Sequence, residues 1–174
     1  HVLSTHEPLL GRTAYYTPVK PGASRTYSDE FESMWCCTGT GFEAPGKYAQ
    51  MVFTHTPDNR SVSVQLFASA TLDWRERGVR LRQRTDFPYG ETSVVVVDSV
   101  GKDAKFTVKV RRPAWAGEGF AVSVNGKRVD AAADANGYVP INRSWKKGDR
   151  IDISFPMSLR TELLPGSRNY AAFF

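Results

Sequence analysis

Sulfur is scarce in this chain: its 174 residues include two cysteines, and these are neighbours, Cys36 and Cys37. Adjacent cysteines close only a small strained ring and cross-link nothing distant, so a disulfide framework is excluded. Long apolar runs are missing too. Nowhere do about eighteen apolar residues follow one another, so no helix is long and apolar enough to span a membrane. The opening "HVLSTHEPLL" has no basic stretch leading into an apolar one, the pattern of a secretory leader. It also lacks an initiator Met, and the chain stops on the apolar "NYAAFF". These ends read as those of a piece cut from a longer protein, and no cellular location is assigned to it.

What is present suffices for a folded core. Hydrophobic residues make up 41% of the chain, aromatics 12% and charged residues 24%, a globular rather than a disordered balance. The length suits one large domain, or one domain plus part of another. The net charge of +5 raises the question of nucleic acid. Much of the excess lies in "WRERGVRLRQRTDF", where Arg80, Arg82 and Arg84 alternate with Val79, Leu81 and Gln83. That is strand periodicity with arginines on the solvent face, as on edge strands that resist pairing with other chains. No helix-turn-helix, zinc-finger or RNA-recognition pattern accompanies it. The expectation is a solvated strand face and no nucleic-acid partner.

From about Val52 onward, period-two segments follow one another at short spacing: "MVFTHT", "SVSVQLF", "VRLRQRTDF", "TSVVVVDSV", "KFTVKVRR", "FAVSVNGKRV", "GYVPIN" and "RIDISFPM". Turn chemistry separates them, and Asn125-Gly126 is the dipeptide of a tight type I′ hairpin. The pattern predicts an all-β, antiparallel, jelly-roll-like sandwich over residues 52–174, running near its end into a following segment. Its expected inward residues are Val62, Val64, Leu66, Val94, Val96, Phe106, Val108, Val110, Ile151, Ile153 and Phe155. Residues 1–51 differ. "HVLSTHEP" reads as a helix tail ending before Pro8, a short strand is expected around Tyr15 and Tyr16, and a helix near Thr40 that Pro45-Gly46 breaks or kinks. This region lacks the apolar periodicity of an independent core, so it is expected to have belonged to a neighbouring domain.

Three readings of Cys36-Cys37 stay open on the residues alone. They are two buried small hydrophobes, a redox-active vicinal disulfide, or two thiolates turned toward one soft ion such as zinc. Zinc takes about four ligands, and the other candidates are Glu43, His55, His1 and His6, none at a recognisable spacing. Glu43 is read either as a charge in the first turn of a helix or as a carboxylate near a metal or substrate. Tyr15 and Tyr16 precede a Pro-Gly loop and either pack beneath it or line a sugar site. Trp115 and Trp145 are expected at the edges of the core.

The stretches "YYTPVKPG", "MWCCTGTGFE" and "KYAQMVF" resemble motifs of the β-L-arabinofuranosidase clan, glycoside hydrolase families 127 and 146 and their relatives. Downstream, "FTVKVRRPAWA", "VSVNGK", "GYVPINRSWKKGDRIDISFPM" and "LRTELLP" resemble, in order, the β-sandwich after the clan's catalytic barrel. The resemblance implies that residues 1–51 end an (α/α)₆ barrel and pack against the rest of it, and that 52–174 form the sandwich. It implies Cys36 as catalytic nucleophile, Cys36 and Cys37 as zinc ligands, and an arabinose-containing glycan as substrate. It places a Glu ligand, a further Cys ligand and the Glu acid/base earlier in the barrel. This stretch alone would then be inactive and hold no zinc. Where relatives often have an Asn-His-Ala stretch, this chain has "EAPGK". The alternative is a non-catalytic sandwich that supports a barrel or binds carbohydrate.

Overall fold

The computed structural model describes residues 6–18, 20–102 and 104–173. The chain divides into two compact units, 1–51 and 52–174. His1 and most of the helix tail expected beside it lie outside the described residues.

In the first unit, no extended strand forms at Tyr15 and Tyr16; the pairing there is a single antiparallel bridge between Ala14 and Tyr27. One helix, α1 (Cys36–Met51), follows. It starts earlier than Thr40, because the Trp35 carbonyl accepts from the amides of Thr38 and Gly39. It also runs through Pro45 instead of ending there. Proline has no N–H to offer the carbonyl one turn back, so the helix tolerates a missing bond in its middle. Its composition is poor for an isolated helix. The residues it buries are small, Gly41 and Ala44, so the chain can approach closely. A Cβ at Gly41 would stand 2.7 Å from Nε2 of His6.

The second unit holds strands β1 (Phe53–His55), β2 (Ser61–Val64), β3 (Ala70–Trp74), β4 (Val79–Thr85), β5 (Thr92–Ser99), β6 (Lys105–Arg111), β7 (Ala121–Val124), β8 (Lys127–Arg128), β9 (Tyr138–Ser144) and β10 (Arg150–Ser154). A four-stranded sheet has the order β1-β2-β6-β9 and a six-stranded sheet the order β3-β4-β5-β10-β7-β8. All these pairs are antiparallel except β2 with β6. Inward side chains of both sheets form one cluster around Trp74, Phe106, Trp145, Ile151 and Phe155. The alternation predicts an antiparallel sandwich, and the sandwich forms with that one parallel pair as the departure. A separate hairpin, β11 (Thr161–Leu163) and β12 (Ala171–Phe173), follows.

The turns obey their sequence. Asn125 and Gly126 have φ of 52° and 78°, the two positive values that a type I′ turn needs, and the flanking Val124 and Lys127 pair. Asn125 then ties this hairpin to the β9–β10 turn. Its Nδ2 donates to Asp149 Oδ1 at 2.8 Å, and its Oδ1 accepts from the Arg150 amide at 2.9 Å.

Several sequence expectations need correction. On β5 the buried residues are Val95 and Val97, and Val94 and Val96 face outward. Four consecutive valines carry no alternation, so the facing is set by pairing, which puts Val95 opposite Ile151 and Ser93 opposite Ile153. Leu66 is only half-buried, because β2 ends at Val64 and Phe67 takes the core position. Arg80, Arg82 and Arg84 do face solvent, but β4 lies between β3 and β5 and is no edge strand. Trp145 is fully inside, its Nε1 donating to the Phe106 carbonyl. Trp115 sits at the margin, stacked on Phe87.

Candidate functional site

The first unit brings its chemistry to the start of α1. Cys36 and Cys37 are the first two helical residues, Cys36 exposed and Cys37 half-buried, with their sulfurs 4.0 Å apart. Amides at a helix start carry partial positive charge, which favours a thiolate. Opposing this at Cys37, burial raises the thiol pKa, and the contact with Cys36 raises it further. Two sulfurs this close disfavour two negative charges.

The approach to the helix is fixed by a short hydrogen-bonded loop. Asp29 accepts from the amides of Glu32 at 2.7 Å and Phe31 at 3.0 Å, and those bonds hold its carboxyl below the usual range. The Asp29 amide donates to Ser33 Oγ at 2.8 Å. Buried Thr13 and Ser28 exchange two bonds, Thr13 N to Ser28 Oγ and Ser28 N to the Thr13 carbonyl. Thr13 Oγ1 also meets Thr38 Oγ1 in the first turn of α1 at 3.4 Å.

Beside this helix start is a cleft of about 580 Å³ lined by Tyr15, Tyr16, Pro18, Ser24, Thr26 and Trp35. Its aromatic wall is built edge to face, with Tyr15 4.6 Å from Tyr16 and 6.1 Å from Trp35 between ring centroids. Trp35 precedes Cys36 directly, so the ring that lines the cleft is bonded to the residue carrying the first sulfur. Rings with hydroxyls around them suit a ligand with apolar faces and polar edges. Sequence reasoning missed Trp35, Ser24 and Thr26; the signal for Trp35 was its position immediately before the pair.

Other sequence candidates go elsewhere. Glu43 is exposed and pairs with Lys47 at 2.7 Å, which lowers its pKa. It lies two turns into α1, about 10 Å of helix rise beyond Cys36, and so is not a first-turn charge. His6 Nε2 is buried with no hydrogen-bond partner among the described residues. His55 belongs to the second unit, where its ring stacks on Trp74. Among the described residues no group of three or more His, Cys, Asp or Glu is placed to hold a metal.

Residues 61–157, more than half of the chain, match the family description "Beta-L-arabinofuranosidase, GH127 middle domain". The chain belongs to the GH127 β-L-arabinofuranosidase family. Residues 1–50 match the description of the GH127 catalytic domain, and this stretch carries both the sulfur pair and the aromatic cleft. Among solved structures, one described as a glycoside hydrolase is 26% identical with a TM-score of 0.76, over 93% of this chain and 28% of its own. A GH127 β-L-arabinofuranosidase from Geobacillus stearothermophilus T6 is 22% identical with a TM-score of 0.77, over 94% and 27%. A GH127 β-arabinofuranosidase is 24% identical with a TM-score of 0.75, over 91% and 27%. These last two show the shared fold. This GH127 chain therefore spans little more than a quarter of the length of these relatives. No curated protein matches it.

Proposed function

We propose that this GH127 chain is the part of a retaining glycoside hydrolase that supplies its nucleophile, Cys36, for cleaving β-L-arabinofuranosides. The carrying observation is that an exposed cysteine at a helix start directly follows Trp35, which lines a cleft with Tyr15 and Tyr16, within the stretch matching the catalytic domain. In this reading the cleft receives the sugar, and the Cys36 thiolate attacks the anomeric carbon. The carbon–sulfur bond forms as the glycosidic carbon–oxygen bond breaks, and a carboxylic acid from outside this chain protonates the departing oxygen. Water then displaces the sulfur, so configuration is retained over two displacements.

The sulfur pair fits half of a zinc site. A tetrahedral ion about 2.3 Å from each sulfur needs them slightly under 4 Å apart, close to the 4.0 Å seen. Cys36 and Cys37 would hold the ion with ligands from the remainder of the protein. Bound zinc would keep the thiols ionised near neutral pH.

The test is on the complete protein, comparing Cys36→Ser and Cys37→Ser for turnover of an arabinofuranoside and for metal content. Serine at 36 keeps the size but loses the soft, easily ionised sulfur, so turnover should collapse even where metal is retained. Serine at 37 should lower metal content first, with turnover following occupancy. Full activity of the Cys36→Ser protein would end this reading.

A further inference from the structure

The outer face of the six-stranded sheet carries more arginine than protection of an edge requires. Arg80, Arg82 and Arg84 project from β4, Arg150 from β10 and Arg128 from β8. Neither β4 nor β10 is an edge strand. Pairing aligns these residues in rows: Arg82 beside Val96 beside Arg150, and Arg84 beside Val94, Asp152, Ser123 and Arg128 in turn. At about 4.8 Å per strand, the second row is roughly 19 Å long. Carboxylates occupy only part of this face. Asp98 takes Arg82 and Asp152 takes Arg150, each at 2.6 Å, and Asp73 is turned to Arg75 at 3.5 Å. Arg80, Arg84 and Arg128 have no carboxylate partner among the described residues. Between the rows lies a groove of about 330 Å³ lined by Thr92, Val94, Ser123, Arg128, Arg150 and Asp152, among others.

We propose that this face binds a polyuronate, a linear glycan bearing a carboxylate on each sugar, through residues none of which lines the cleft next to Trp35. Guanidinium forks match carboxylates in pairs of parallel hydrogen bonds. The hydroxyls of Thr92 and Ser123 and the carboxylate of Asp152 complement sugar hydroxyls, and Val94 offers an apolar floor. Nucleic acid fits less well. The strands of this face carry no outward aromatic ring on which a base could stack.

The experiment titrates the full chain with polygalacturonate at low and moderate salt. Binding should occur, weaken as salt rises, and largely vanish with the fully methyl-esterified, uncharged polymer. The triple variant Arg80→Gln/Arg84→Gln/Arg128→Gln should bind roughly tenfold or more weakly, as expected for three exposed ion pairs. A control with the same loss of charge elsewhere, Lys20→Gln/Arg60→Gln/Lys147→Gln, should bind as the parent does. All six positions are exposed, so these variants should keep the parent's unfolding midpoint. No binding at low salt, equal binding of the esterified polymer, equal weakening by the control, or tighter binding of duplex DNA would each overturn the proposal.

Discussion

Asp149 shows how a buried charge is kept. Burial alone would raise its carboxyl pKa, yet the hydrogen bond from Asn125, the Lys146 amide and nearby Arg143 together bring it below the ordinary value. A lowered folded-state pKa contributes stability that is present above the unfolded value, about 3.9, and is lost as pH falls through the folded one. Asp149→Asn should therefore cost about 1–3 kcal/mol at neutral pH. The gap from the parent should narrow below about pH 4, as read by urea unfolding at several pH values. Gly41 makes a second residue-scale prediction. Because a Cβ there would sit 2.7 Å from the His6 ring, Gly41→Ala should lower the unfolding midpoint of the first unit despite alanine's better helix propensity. Gly39, with nothing within 4 Å, should accept alanine without loss.

Among the elements, β5 separates what alternation reports from what pairing decides. Val95 is fully buried against Ile151 and Val94 faces outward. Val95→Asp places an unpaired charge in the core and should unfold the sandwich, whereas Val94→Asp should fold with its circular dichroism unchanged. The β7–β8 hairpin is equally specific. Gly126 at φ 78° should lose about 1 kcal/mol on replacement by alanine, measured by thermal unfolding. Helix α1 is the opposite case. Its glycines and Pro45 hide it from propensity, and its start depends on the Trp35 carbonyl.

For the whole molecule, the chain spans 28% of the length of one solved relative, and the proposed reaction draws its proton donor from elsewhere in the protein. General acid assistance is worth about 10²–10⁴-fold. The chain by itself should show no turnover of an arabinofuranoside; turnover unchanged by Cys36→Ala would remove Cys36 from the chemistry. Ile151 is fully buried in the sandwich core, and Ile151→Ala should cost about 2–5 kcal/mol by guanidinium unfolding.

Alternation of apolar and polar residues, with turn dipeptides between, was enough to specify most strands of the second unit and the hairpin at Asn125-Gly126, but it passed over β3 and the β11–β12 hairpin. Local backbone preference and the strand's period of two are encoded residue by residue. The adjacency of the two cysteines, and of Trp35 before them, was also plain in one dimension. Tertiary structure alone decided which face of the valine run turned inward and that β4 lay inside its sheet, because both depend on partners distant in sequence. It likewise gathered Tyr15, Ser24, Thr26 and Trp35 around one cleft and sent Glu43 to Lys47. Loops carry no period from which such convergence can be read.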